Sequence, residues 1–169
     1  MPRLLLLRHA KSSWAEPGTR DHDRPLNERS RLSARRIGAY LRDAGLVPDL
    51  VLCSSAARTC ETVARLGLPD SAAIEVTHDL YLAHPETVID LVRAVDDTVG
   101  TLMVVGHNPT THEVALDLAG AGDPGALARL GRKYPTGALA VLAVPEPWRT
   151  VAPGTATLEQ FVSPRDLEP

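Results

Sequence analysis

A chain of 169 residues is long enough for one domain with a real hydrophobic core. With 44% apolar and 23% charged residues and a formal charge of −3, it reads as an ordinary globular domain; the mild acidity and the lack of any Lys/Arg block argue against a general nucleic-acid binder, and no apolar run approaches the about 20 residues of a membrane span. Cys53 and Cys60 lack zinc or redox spacing, and the N-terminal apolar run is too short for a secretory segment, so reduced thiols and a cytoplasmic location are expected.

The first element is Leu4-Leu5-Leu6-Leu7, an apolar run that stops at Arg8-His9. It reads as a strand buried on both faces, as in parallel sheets. Residues 11–24 are polar, hold Pro17 and Gly18, show no periodicity and read as a loop. A helix follows Pro25-Leu26-Asn27, with Asn27 as N-cap, Ala34, Ile37, Gly38 and Leu41 at helical spacing, and Gly45 beyond its end. Leu50–Cys53 is a second short strand, Ser54-Ser55 a turn or N-cap, and a helix then runs through Arg58, Thr62 and Leu66 to Gly67. Ile74–Thr77 alternates and suits a strand near an edge. Pro85 opens a helix on which Val88, Leu91, Val92 and Val95 recur as i, i+3, i+4, i+7. Thr101–Val105 is the clearest strand after the first; it ends in Gly106-His107-Asn108-Pro109, and a helix through Val114 and Leu118 follows. Residues 120–135 read as a short helix and loops, 138–144 as a fifth strand, 145–153 as a turn region, and Leu158–Val162 as a last strand. Strands alternating with helices predict an α/β domain, three layers with a central, mostly parallel sheet, over residues 1–162, with 163–169 as a loose tail.

Three of these strands end alike. The first delivers Arg8 and His9, the second Ser54-Ser55 with Arg58 one turn into the next helix, and the fourth Gly106-His107-Asn108. In a parallel sheet these carboxyl ends share one edge, where open α/β sheets bind ligands. Two arginines and two histidines converging on one point repel each other unless an anion joins them. A phosphate group suits the planar arginine fork, helix N-termini after the second and fourth strands add N–H donors, and histidine supplies a nitrogen that can attack or carry a proton near neutral pH.

The segments that carry these residues resemble the histidine phosphatase (phosphoglycerate mutase-like) superfamily, above all its SixA-type phosphohistidine phosphatases. Leu-Arg-His-Ala-Lys-Ser-Ser-Trp at 7–14 is similar to the family's RHG box in an RHA variant, Asp23-Arg24-Pro25-Leu26 to its RPL segment, Ser54 to Thr62 to its S-x-x-x-R-T-x-x-T box, Val104 to Pro109 to its second-histidine box, and Tyr134 to Ala138 to a late-strand motif. The likeness spans about residues 3–144. It implies a phosphoglycerate mutase-like fold and a metal-independent phosphatase without cofactor, in which His9 is the nucleophile and carries a transient phosphoryl group, Arg8 and Arg58 clamp phosphate oxygens, His107 stabilises the transferring group, and Arg24 is a further phosphate contact. Ala10 and Ser30 stand where many members have glycine. Little room exists between the third and fourth strands for a large cap domain, and no E-x-x-x-G box supplies the glutamate acid of the larger members; Asp79, His84 and Glu86 are the nearest candidates for an acid.

That lack bears on the substrate. An alkoxide is nearly as basic as hydroxide, whose conjugate acid has a pKa of about 15.7, whereas imidazole has a conjugate-acid pKa of about 6.5 and departs with far less help. A small site without an evident acid therefore suits phosphohistidine, including one carried by a protein domain, better than a sugar phosphate. A small-molecule phosphomonoesterase or mutase, and a non-catalytic phosphate-binding protein, are the alternatives. A cysteine phosphatase loop is excluded because only four residues separate Cys53 from Arg58, and His107 and His112 share no helical face that suits a metal.

Overall fold

The computed structural model describes residues 1–14 and 16–169. Seven strands form one sheet: β1 (Arg3–Arg8), β2 (Leu50–Ser54), β3 (Ala73–Thr77), β4 (Thr101–Gly106), β5 (Ala119–Gly122), β6 (Leu139–Ala143) and β7 (Ala156–Val162), in the spatial order β3-β2-β4-β1-β6-β7-β5. The pairs β2/β3, β2/β4, β1/β4 and β5/β7 are parallel; β6 alone runs against its neighbours β1 and β7.

The leucine run of β1 is apolar throughout because both of its faces are covered. Leu4 and Leu6 lie in one core cluster with Val88, Val92, Val114 and Leu130, from α3 (Pro85–Arg93), α4 (Thr110–Leu118) and α5 (Pro124–Arg132). Leu5 and Leu7 lie in the other with Ile37, Leu41 and Val63, from α1 (Glu28–Asp43) and α2 (Ala57–Arg65). The period of two thus assigns successive leucines to opposite layers, and each one fully buried is worth about 1.5–3 kcal/mol. This three-layer arrangement, with its mostly parallel sheet, agrees with the fold expected from the sequence. β3 is the exposed edge strand that its alternation suggested, with Ile74 and Val76 about half exposed.

Local chemistry sets the helix ends. The Asn27 side chain accepts the Ser30 N–H to open α1, and the Asp123 carboxylate accepts the Ala126 N–H to open α5. Gly38 lets α1 lie against the end of α2, because a Cβ there would sit 1.8 Å from the Leu66 carbonyl oxygen.

Two segments differ from the sequence reading. Residues 119–122 form β5, although 120–135 read as a short helix and loops. Ala-Gly-Ala-Gly carries no strand propensity, and the strand exists because β7 approaches so closely that a Cβ on Gly122 would meet the Leu158 carbonyl oxygen at 2.5 Å. At the C-terminus, expected to be loose, Pro164–Leu167 form a 3-10 turn in which the Asp166 carboxylate accepts the Ser163 N–H, and Leu167 packs against the α1/α2 core.

Candidate active site

β1, β2 and β4 end at one edge of the sheet, and so do Arg8, His9, Ser54 and His107. The His9 N–H donates to the Gly106 carbonyl, tying the end of β1 to the end of β4. The imidazole centroids of His9 and His107 are 5.3 Å apart, with the rings tilted by 52°. Both side chains are nearly buried.

The two rings are held differently. His9 Nδ1 lies 2.6 Å from the Ala10 carbonyl oxygen. A carbonyl can only accept, so Nδ1 carries the hydrogen, and in the neutral ring Nε2 keeps its lone pair. No protein group among the described residues bonds that Nε2. His107 Nε2 is 2.7 Å from the Ser54 hydroxyl. Burial is the main force keeping both rings neutral. It pulls His9 down to about 4 against the opposing Ala10 hydrogen bond, with Arg58, Arg8 and Arg24 lowering it further. His107 falls to about 3, again through burial first, then repulsion from His9 and Arg58, with Asp21 partly offsetting.

The arginines are fixed by neighbours to which the sequence alone assigned no role. Arg8 donates to the Tyr134 carbonyl at 2.8 Å, which also accepts from Asn108 Nδ2 at 3.0 Å, so one carbonyl joins the ends of β1 and β4 to the segment before β6. The Tyr134 hydroxyl is itself anchored, donating to the Leu6 carbonyl and accepting the Ala140 N–H. Arg58 donates to the Asp21 carbonyl at 2.7 Å and to its Oδ2 at 3.1 Å. Arg24 donates to Asp21 Oδ1 through both Nε and a terminal nitrogen, and to the Ser12 hydroxyl at 2.6 Å, with its guanidinium 3.4 Å from the centre of the Trp14 ring. The Tyr81 hydroxyl donates to Asp21 Oδ2 at 2.6 Å. That bond first, then Arg24 and Arg58, hold the Asp21 carboxyl at about 2, against the effect of its partial burial.

Asp21 is therefore the central residue among those that sequence reasoning missed. It sits on a 3-10 turn, Asp21–Asp23, inside the stretch read as a plain loop, and its only signal was an acid placed three residues before an arginine. Tyr81 was missed as well; its ring stands edge-on to His107 at 5.7 Å. His22 and His78, also unremarked, each lie within 3.0 Å of the Ser55 hydroxyl.

The structure thus brings Arg8, His9, Arg24, Arg58 and His107 together. Of the three candidate acids, Asp79 and Glu86 are exposed and bond none of these residues. His84, also exposed, lines a shallow, mainly apolar depression of about 240 Å³ that His107 borders. Cys53 and Cys60 are free thiols that both donate to the Ser54 carbonyl, and burial pushes the Cys53 thiol well up, so they brace the turn after β2. His112 bonds the Leu130 carbonyl. Among the described residues, the buried side-chain nitrogens and oxygens without any partner are three: Arg8 Nε, Arg58 Nε and His107 Nδ1. Buried donors are seldom left unpaired, and an oxyanion answers two guanidinium groups at once.

An αβα domain with arginines and imidazoles at the carboxyl edge of its sheet defines a phosphate-handling class of protein. Residues 4–81 match the family described as the histidine phosphatase superfamily, branch 1. An uncharacterised Mycobacterium tuberculosis protein is 44% identical over 161 residues, covering 94% of this chain and all of its own. Among solved structures, the candidate phosphohistidine phosphatase SixA of Nakamurella multipartitia is 33% identical, covers 96% of both chains and superposes with a TM-score of 0.85. Its counterpart from Agrobacterium tumefaciens is 34% identical, covers 96% of this chain and 99% of that one, and has a TM-score of 0.79. The chain belongs to the histidine phosphatase superfamily and is of its SixA type.

Proposed function

We propose that this protein removes phosphoryl groups by way of a covalent intermediate on His9, and that its substrate is phosphohistidine carried by a protein. The observation that carries the reading is the tautomer of His9: with Nδ1–H given to the Ala10 carbonyl, the Nε2 lone pair is free for attack, in a ring kept neutral by burial and flanking arginines. Phosphoryl transfer needs placement and charge stabilisation more than further covalent chemistry. Arg8 and Arg58 take the non-bridging oxygens with the nitrogens that now lack partners, and His107 stabilises the transferring group. Nε2 forms the bond to phosphorus as the bond to the leaving nitrogen breaks; water then attacks the phosphorylated ring, releasing phosphate and restoring His9. The donors of Arg24 are engaged by Asp21 and Ser12, so its share is to hold Asp21, and through it Arg58, while adding positive potential.

The choice of phosphohistidine follows from the leaving group. No carboxylic acid among Asp79 and Glu86 reaches the pair of imidazoles, and an imidazole leaves without the protonation an alkoxide demands. The chemistry is tested with a radiolabelled phosphohistidine protein as donor: wild type is expected to trap an acid-labile, alkali-stable phosphoenzyme, and His9→Ala to trap none. A label that persists in His9→Ala refutes the assignment. The substrate is tested by comparing kcat/KM on that protein with sugar phosphates and an aryl phosphate; turnover of sugar phosphates alone assigns a small-molecule phosphomonoesterase on the same chemistry.

A further inference from the structure

The chain is acidic as a whole, yet its charge is divided. A broad groove of about 1360 Å³ runs between the start of α1 and the end of α5, and it is lined by nine of the chain's 18 Lys and Arg residues but only three of its 21 Asp and Glu residues. Arg29 and Arg35 belong to the α1 side of the lining and Arg132 and Lys133 to the end of α5, and Lys11 and Arg165 line it as well. All six are exposed and none has an acidic partner among the described residues. Such a concentration of unpaired positive charge costs self-repulsion, which an acidic partner removes.

The groove also lies at the edge of the sheet that holds the imidazoles. β6 runs against β1 and β7 against β6, with Leu7 opposite Leu139 and Leu139 opposite Val162, so the end of β7 returns to the edge where β1 ends. Phe161 and Ser163 there line the groove, as do Lys11, two residues past His9, and Thr136, beside Gly137 whose N–H donates to the His9 carbonyl.

We infer that this groove docks an acidic face of the phosphorylated protein whose phosphoryl group enters the site; the inference rests on the proposed function above. A metabolite pocket has about 300–1,000 Å³ and encloses its ligand, whereas this groove is larger and open. Single-stranded nucleic acid is disfavoured because the only aromatic residue of the lining, Phe161, is buried and offers no platform for a base. A protein surface carrying several carboxylates matches the cationic lining and gains most in rate of encounter.

The test uses a fluorescein-labelled peptide of alternating Glu and Ser, whose binding is read by anisotropy, and phosphohistidine peptides with Glu or Ser flanks, whose hydrolysis is read as kcat/KM. Wild type is expected to bind the labelled peptide in a salt-dependent manner and to prefer the Glu-flanked substrate. The variant Arg29→Glu/Arg35→Glu/Arg132→Glu should lose about tenfold or more in both, with kcat/KM on an aryl phosphate unchanged. Lys133→Glu/Arg165→Glu should move the same readouts in the same direction. Equal binding by wild type and both variants overturns the inference, and so does tighter binding of single-stranded DNA of the same length at the same salt. Loss of peptide binding in the variants, in a protein that hydrolyses no phosphate compound, supports the groove and refutes the proposed function instead.

Discussion

Two imidazoles held neutral by burial make the protein sensitive to acid in a window set by the histidines. His9 falls from 6.5 to about 4 and His107 to about 3 in the folded state, whereas in the unfolded chain both take up protons near 6.5. Below pH 6.5 unfolding therefore gains protons, and stability drops as pH falls towards 4. At about 1.4 kcal/mol per pH unit, the gap for His9 alone amounts to about 3 kcal/mol at pH 4. The gap for His107 is wider, but repulsion between the rings contributes to it, so the pair together costs about 4–5 kcal/mol rather than the full sum. Asp21 adds a loss of the same sign in a lower window: its carboxyl lies at about 2, its contribution is present above 3.8 and is lost as pH falls through 2, so it is largely intact at pH 4. Urea denaturation of wild type, His9→Gln and His107→Gln between pH 7.5 and 4, in buffers free of oxyanions, measures the difference. Each variant should show a pH profile shallower than wild type by a few kcal/mol, and added tungstate or phosphate should flatten the wild-type profile by favouring the charged rings. Parallel profiles for all three proteins refute the claim that these rings are held neutral.

Arg58→Lys keeps the charge but loses the fork that spans Asp21 and the site, and kcat/KM on an aryl phosphate is expected to fall by about 100-fold or more; a change under threefold contradicts a role in clamping phosphate. Ser54→Ala removes the only bonding partner that the buried His107 Nε2 has among the described residues and should cost about 1–3 kcal/mol in denaturant unfolding, with a lower kcat and little change in KM. Gly38→Ala drives a methyl group into the backbone at Leu66 and should destabilise by about 3 kcal/mol or more, whereas Gly131→Ala, with open space around its Cβ position, should be neutral or slightly stabilising.

Much of this was legible in the order of residues. The apolar runs that became β1, β2 and β4 each end in a polar or charged group, and the parallel-sheet rule alone brought Arg8, Arg58 and His107 to one edge. What escaped was whatever depends on chain crossing chain. The β5 strand follows from the closeness of β7 and from nothing in Ala-Gly-Ala-Gly itself. Asp21 and Tyr81 lie 60 residues apart and become partners only once the loop before α1 folds over the start of α2. The partner that orients His9 could not be read from side chains at all, because it is the peptide carbonyl of the very next residue.

That last contact has a bearing on how the site tolerates change. A carbonyl of the main chain does not titrate and survives every substitution of its own side chain, so the set of the nucleophile's ring is insulated from both acid and genetic drift. Nature has no point mutation that weakens it in isolation, though a chemist does: an ester in place of the amide between Ala10 and Lys11 would dull the acceptor and let the ring swing.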